Sequence, residues 1–120
     1  METRNWPDYT RGLSAELKNL RGGAPEVMKA FSALAQSALA QGALDGKTKE
    51  LIAIAISVAI RCDDCIAFHV KAAVDHGATR EEILETLDMA IYMGAGPAAM
   101  YASHALGAYT QFAAPKADAA

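Results

Sequence analysis

The chain has 120 residues, of which 52% are hydrophobic and 21% charged, and a formal net charge of −3. That length fits one domain, and so little polar surface on a small globule favours self-association. No lysine or arginine cluster provides the electrostatic footprint of a nucleic-acid or anionic-membrane binder, and the longest apolar run, Leu51 to Ile60 with one serine inside, is about half of the roughly 20 residues a bilayer span needs.

The opening METRNWPDY is polar and acid-containing, without the basic flank and apolar centre of a secretory signal, so a cytoplasmic address is expected. Trp6 reads as an anchor against a neighbouring surface. From Thr10 to Arg21 the leucines Leu13, Leu17 and Leu20 mark one face of a short helix, which Gly22 and Gly23 stop. Pro25 suits the first turn of a second helix, in which Val27, Met28, Phe31, Leu34, Ala35, Ala38 and Leu39 form an apolar stripe as far as Gly42. That stripe reads as core.

After a turn over Gly42 to Gly46, the segment Lys47 to Arg61 alternates Ile52, Ile54, Ile56, Val58 and Ile60 with small residues, which taken literally is a strand pattern. Its length without Gly or Pro and the lack of any second strand candidate favour a helix instead, buried on nearly all sides. Cys62 to Asp75 continues as another helix, starting near the carboxylates of Asp63 and Asp64 and ending at His76-Gly77. His76 is expected as a helix-end cation.

Thr79 to Glu82 predicts a capping box opening a fifth helix, with Ile83, Leu84, Leu87, Ala90 and Ile91 on its apolar side. Gly94, Gly96 and Pro97 break the chain before a last alanine-rich helix from Ala98 to about Phe112, whose small residues permit close helix approach; Ala113 to Ala120 reads as a loose tail. Met89, Tyr92, Met93, Met100 and Tyr101 read as core rather than as pocket walls, and His104 as a satisfied interior or interface residue. The expectation is an all-α, single-domain bundle of about six helices spanning residues 1–120, without internal repeats.

The chemistry concentrates between Glu50 and His69. Cys62 and Cys65, the chain's two cysteines, lie three apart with His69 four further on, so on a helix the three share one stripe. In a reducing compartment such a pair is more often catalytic or metal-binding than a permanent staple. A helix N-terminus favours a thiolate, the neighbouring Asp63 and Asp64 oppose it, and two thiols so spaced can close a disulfide before further oxidation. His69 is the nearest base of suitable range. Glu50 precedes Cys62 by roughly 18 Å of helix and His69 follows it by roughly 10 Å, so a helical hairpin returns Glu50 toward His69 more readily than toward Cys62. A thioredoxin-like fold would need several strands around the motif, which are missing here.

Glu50, eleven residues, then C-x-x-C-x-x-x-H as Cys62, Cys65 and His69, with GAGPAAMYASHAL from Gly94 to Leu106, resembles the alkylhydroperoxidase D-like branch of the carboxymuconolactone decarboxylase family, over about Lys47 to Phe112. The resemblance implies an all-α domain assembled as a homotrimer or homohexamer, with a thiol-dependent peroxidase or disulfide-reductase activity and no cofactor. It implies Cys65 as the thiol that attacks peroxide, Cys62 as proton donor and resolving thiol, and Glu50 and His69 as a proton relay. The implied partners are a small hydroperoxide and a thioredoxin- or lipoyl-type dithiol reductant. The dedicated alkylhydroperoxidases carry a histidine just before the second cysteine, where this chain has Asp64.

A second reading makes the domain an oligomeric binding or scaffold protein in which Cys62, Cys65 and His69 hold zinc, with Glu50 or Asp64 as fourth ligand. A third, decarboxylation of a lactone as in the family's namesake, has no evident use for paired thiols.

Overall fold

The structure, a computed structural model, is described for residues 4–115, so part of the expected 113–120 tail lies outside the described residues. It is all-helical: α1 (Trp6–Gly23), α2 (Pro25–Leu39), α3 (Gly46–Ala59), α4 (Asp63–Asp75) and α5 (Arg80–Ala113), with no strand among the described residues. Among them, no helix is long and apolar enough to cross a membrane.

The starts follow from local chemistry. Asn5 caps α1 by accepting the Asp8 N–H, Asp45 caps α3 by accepting the Thr48 N–H, and Thr79 and Glu82 form the expected capping box of α5. Pro25 occupies the first turn of α2, where its missing N–H costs nothing. At the far end of α2, the Lys49 ammonium donates to the Ala38 carbonyl at 2.9 Å and also to the Ala40 carbonyl.

The core is a three-helix packing of α3, α4 and α5, with α1 laid across α4 and α5. Ile54 and Val58 from α3, Ile66 and Val70 from α4, and Ile83 and Leu87 from α5 fill it. Ala98, Ala102, Ala105 and Ala108 present a buried small-residue stripe, as the alanine-rich segment predicted. Trp6 is buried as an anchor of the N-terminal arm, with its ring edge-on to Tyr9.

Four expectations about burial and boundaries need correction. The α3 helix is not buried on nearly all sides: Ile52, Ile56 and Ile60 are exposed while Ile54 and Val58 are buried. A period-two pattern wound at 100° per residue sends alternate residues to opposite faces. The stripe of α2 is not core, since no residue of that helix is buried and Val27, Phe31, Leu34 and Leu39 are exposed. Met89, Tyr92, Met93 and Met100 are likewise exposed rather than core, leaving Tyr101 as the partly buried member of that group. The first helix starts at Trp6 rather than Thr10 and includes Gly22 and Gly23, which do not stop it. The expected break before the last helix stands: α5 comprises two helical stretches joined across a kink at Ala95 (φ 59, ψ −144), whose backbone is not helical, within the Gly94-Ala95-Gly96-Pro97 segment.

Candidate active site

The site is built where α3 hands over to α4. Helix α3 ends at Ala59 with Ile60 as its C-cap, and Arg61 adopts a left-handed conformation (φ 61) that reverses the chain. The Cys62 N–H then donates to the Ser57 carbonyl at 3.0 Å, fixing the entry to α4. Cys62 is the N-cap of α4 rather than part of the helix, and its Sγ accepts the Cys65 N–H at 3.2 Å. The spacing predicts both cysteines and His69 on one helical stripe. That registry holds for Cys65 and His69, while Cys62 reaches the same end of the helix from the cap.

Cys62 and Cys65 are joined by a disulfide, with Cα atoms 5.2 Å apart, inside the usual range for such a bridge. One turn after Cys65, His69 pairs with Glu50: its Nδ1 lies 2.7 Å from Glu50 Oε1. An ionised carboxylate can only accept, so against an ionised Glu50 the shared hydrogen sits on Nδ1 and Nε2 stays outside the pair. Glu50 is only 5% exposed, which removes the ordinary alternative of a solvated charge in a first helical turn. The hairpin of α3 and α4 thus returns Glu50 to His69, as the length arithmetic predicted.

The two aspartates between the cysteines are engaged from outside the motif. Asp63 accepts from Arg4 Nη1 at 2.9 Å through one oxygen, and its other oxygen lies 2.8 Å from His104 Nδ1. Asp64 accepts a hydrogen bond from the Tyr9 hydroxyl. That contact, with help from burial, pushes the Tyr9 phenol up to about 12, so Tyr9 remains a donor over the whole working pH range. The Arg4 guanidinium sits 4.3 Å from the centroid of Tyr9 and 4.9 Å from that of Trp6.

Arg4, Tyr9 and His104 therefore border the cysteine turn, although they are 41 to 59 residues away from their aspartate partners. The sequence offered one signal for them, an aromatic and a basic side chain in an otherwise aperiodic arm. His104 is satisfied, as expected, through Asp63. His76 sits at the C-terminal cap of α4 with Nδ1 2.8 Å from the Ala72 carbonyl, and takes no part in the site.

Among the described residues no group of three or more His, Cys, Asp and Glu side chains is arranged to hold a metal ion. The two side chains considered as a fourth zinc ligand are committed elsewhere, Glu50 to His69 and Asp64 to Tyr9. A cavity of about 530 Å³ between α1, Lys71 and the end of α5 is lined by Thr10, Arg11, Gln111 and Phe112 among others and by none of the Glu50, Cys62, Cys65 and His69 set.

Comparison with known proteins agrees with this architecture. Residues 25–108 match the model of the Carboxymuconolactone decarboxylase family. An uncharacterized protein of Cupriavidus necator is 49% identical over 82 residues, covering 68% of this chain and 73% of that protein. An uncharacterized protein from the cox locus of Paracoccus denitrificans is 42% identical over 93 residues, covering 78% of this chain and 84% of that one. Among solved structures, a carboxymuconolactone decarboxylase family protein of Legionella pneumophila superimposes with a TM-score of 0.89 at 49% identity, covering 93% of this chain and 100% of its own. A family protein of Thermotoga maritima, whose description raises an involvement in antioxidative response, gives a TM-score of 0.78 at 33% identity, with 86% of this chain and 88% of that chain covered.

Proposed function

Since this chain belongs to the carboxymuconolactone decarboxylase family, we propose that it is a thiol-dependent peroxidase that reduces a small hydroperoxide through Cys65 and Cys62. The observation that carries the reading is a cysteine pair at bonding distance, one helical turn from a histidine held by a buried glutamate. The antioxidative involvement raised for the Thermotoga maritima relative points the same way.

In the cycle, the Cys65 thiolate attacks the distal oxygen of the hydroperoxide. The O–O bond breaks, the alcohol leaves with a proton, and Cys65 becomes a sulfenic acid. The Cys62 thiolate then attacks Cys65 Sγ, the S–O bond breaks, and the oxygen leaves as water with the proton the Cys62 thiol gave up, closing the disulfide. A dithiol of the thioredoxin or lipoyl type reopens the bridge and is itself oxidised. His69, with Nδ1 held by Glu50, takes the thiol proton at Nε2 before attack and returns it to the departing oxygen. The N-cap position of Cys62 suits it to the second step, because the Cys65 N–H and the α4 dipole stabilise negative charge on its sulfur.

The test is a free-thiol count with intact mass on reduced protein, before and after one equivalent of organic hydroperoxide. Loss of both thiols with a mass decrease of about two hydrogens is expected, the oxidation ladder stopping at the disulfide. Cys65→Ser should abolish peroxide consumption, while Cys62→Ser should consume one equivalent and stall at a trappable sulfenic acid. Peroxidase turnover intact in Cys65→Ser, or both thiols surviving in the presence of peroxide, would sink the proposal.

A further inference from the structure

The turn that carries the cysteines holds two carboxylates, Asp63 and Asp64, directly between the sulfurs in sequence, and neither is used by the cycle above. Uncompensated, two negative charges here would oppose thiolate formation, because like charge disfavours the ionised thiol. Both are instead engaged by side chains from other elements: Asp63 by Arg4 and His104, and Asp64 by Tyr9. The arm that brings Arg4 and Tyr9 is itself fixed. Trp6 is buried, its backbone N–H donates to Gln111 Oε1 at 2.6 Å, and Gln111 Nε2 donates back to the Arg4 carbonyl at 2.7 Å. The contacts span α1, α4 and α5, so they need the tertiary fold.

We infer that Arg4, Tyr9 and His104 are positioning residues that clamp the Asp63-Asp64 carboxylates, draw off their negative charge, and so keep thiolate formation accessible at Cys62 and Cys65. This deepens the peroxidase reading, on which its catalytic relevance rests. The Tyr9 hydroxyl acts at Asp64, the position where the dedicated alkylhydroperoxidases have a histidine. Arg4 supplies a full positive charge at Asp63 and lies over the Tyr9 ring, which holds the phenol in place. The charged and titratable groups gathered around the pair are Arg4 and Tyr9 from the arm, Glu50 from α3, Arg61 from the connection, Asp63, Asp64 and His69 from α4, and His104 from α5. Of these, Arg4, Tyr9 and His104 are the ones that contact the two aspartates, Arg4 as an ion pair and Tyr9 as a hydrogen-bond donor.

The experiment titrates the thiols of the fully reduced protein by the pH dependence of thiolate ultraviolet absorbance and of alkylation rate, which requires no peroxide. Tyr9→Phe and Arg4→Met are each expected to raise the thiol midpoint by roughly half a unit to one unit, slowing alkylation at neutral pH roughly three- to tenfold. Asp64→Asn is expected to lower it. In the Asp64→Asn background, Tyr9→Phe should have no further effect, since it acts through that carboxylate. An unchanged midpoint in folded Tyr9→Phe overturns the inference, as does an equal shift with and without Asp64. If loss of the arm contact prevents folding, Asp64→Asn alone decides: a midpoint that does not fall removes the premise. Failure of wild-type protein to consume hydroperoxide would overturn the peroxidase reading while leaving this titration intact, so the two failures are told apart.

Discussion

A carboxylate as deeply buried as Glu50 keeps its charge only if something compensates it, and His69 at 2.7 Å is the partner present. Two substitutions separate charge from shape at this pair. Glu50→Gln keeps the volume and can still accept from Nδ1–H, so stability should hardly change, while a neutral amide no longer supports a protonated imidazole. Peroxidase kcat/KM should fall by about 10²- to 10⁴-fold, the range general acid–base groups supply. His69→Ala should lose comparable activity and also destabilise the fold by about 2 kcal/mol, because it leaves the buried carboxylate without its charged hydrogen bond. The double variant should be no slower than the worse single one, since the pair acts as a unit. Additive losses in the cycle would show that the two residues work separately. The four residues of this centre were legible in the sequence because three fall within a span of eight and the fourth is returned by helix-length arithmetic. Arg4, Tyr9 and His104 were far less so, because nothing local records contacts made across the fold from the chain start, the first turn of α1 and the middle of α5.

At the scale of the element, what the sequence recorded well was how α2 and α5 begin. The Thr79–Glu82 box and Pro25 are short-range devices and appear where they were expected, while the Asp45 cap lies inside what reads from sequence only as a turn. What it recorded poorly was which faces are buried, because Ile52 and Ile54 are chemically alike and only the packing decides that one faces outward and the other inward. The bend in α5 shows the same division. Its neighbourhood was evident from Gly94, Gly96 and Pro97, yet the residue in the left-handed half of the map is Ala95, where a glycine would be at ease. Gly94 is fixed for another reason: a Cβ there would come within 2.6 Å of Ala98 Cβ across the bend. Ala95→Gly is therefore expected to stabilise the protein by about 1 kcal/mol, and Gly94→Ala to destabilise it by roughly 1–3 kcal/mol. Thermal melts at matched protein concentration would register these as shifts of a few degrees in opposite directions. Shifts of the same sign would mean that the bend is not held by these two positions.

At the scale of the whole molecule, the exposed apolar surface is extensive for a chain of 120 residues. Val27 at 69% exposed, Phe31 and Leu34 project from α2; Ile52, Ile56 and Ile60 from α3; and Tyr92 at 78%, Met93 and Met100 from α5. Helix α2 poses the problem most clearly, because a 15-residue helix with no buried side chain has little tertiary packing to stabilise it, and isolated helices of that length are marginal in water. The radius of gyration of 14.9 Å also exceeds the roughly 13–14 Å typical of a compact globule of this size. These features are expected to be resolved by further copies of the same chain covering α2, the trimer or hexamer implied by the family resemblance being the form anticipated. Sedimentation equilibrium should return a multiple of the 12.6 kDa chain mass. Phe31→Glu combined with Leu34→Glu should reduce that mass and, in the same samples, release the amides of α2 to rapid hydrogen exchange, since the helix and the assembly stabilise each other. A wild-type protein that sediments as a monomer while its α2 amides stay protected would overturn the argument, because the helix would then be held by something within its own chain.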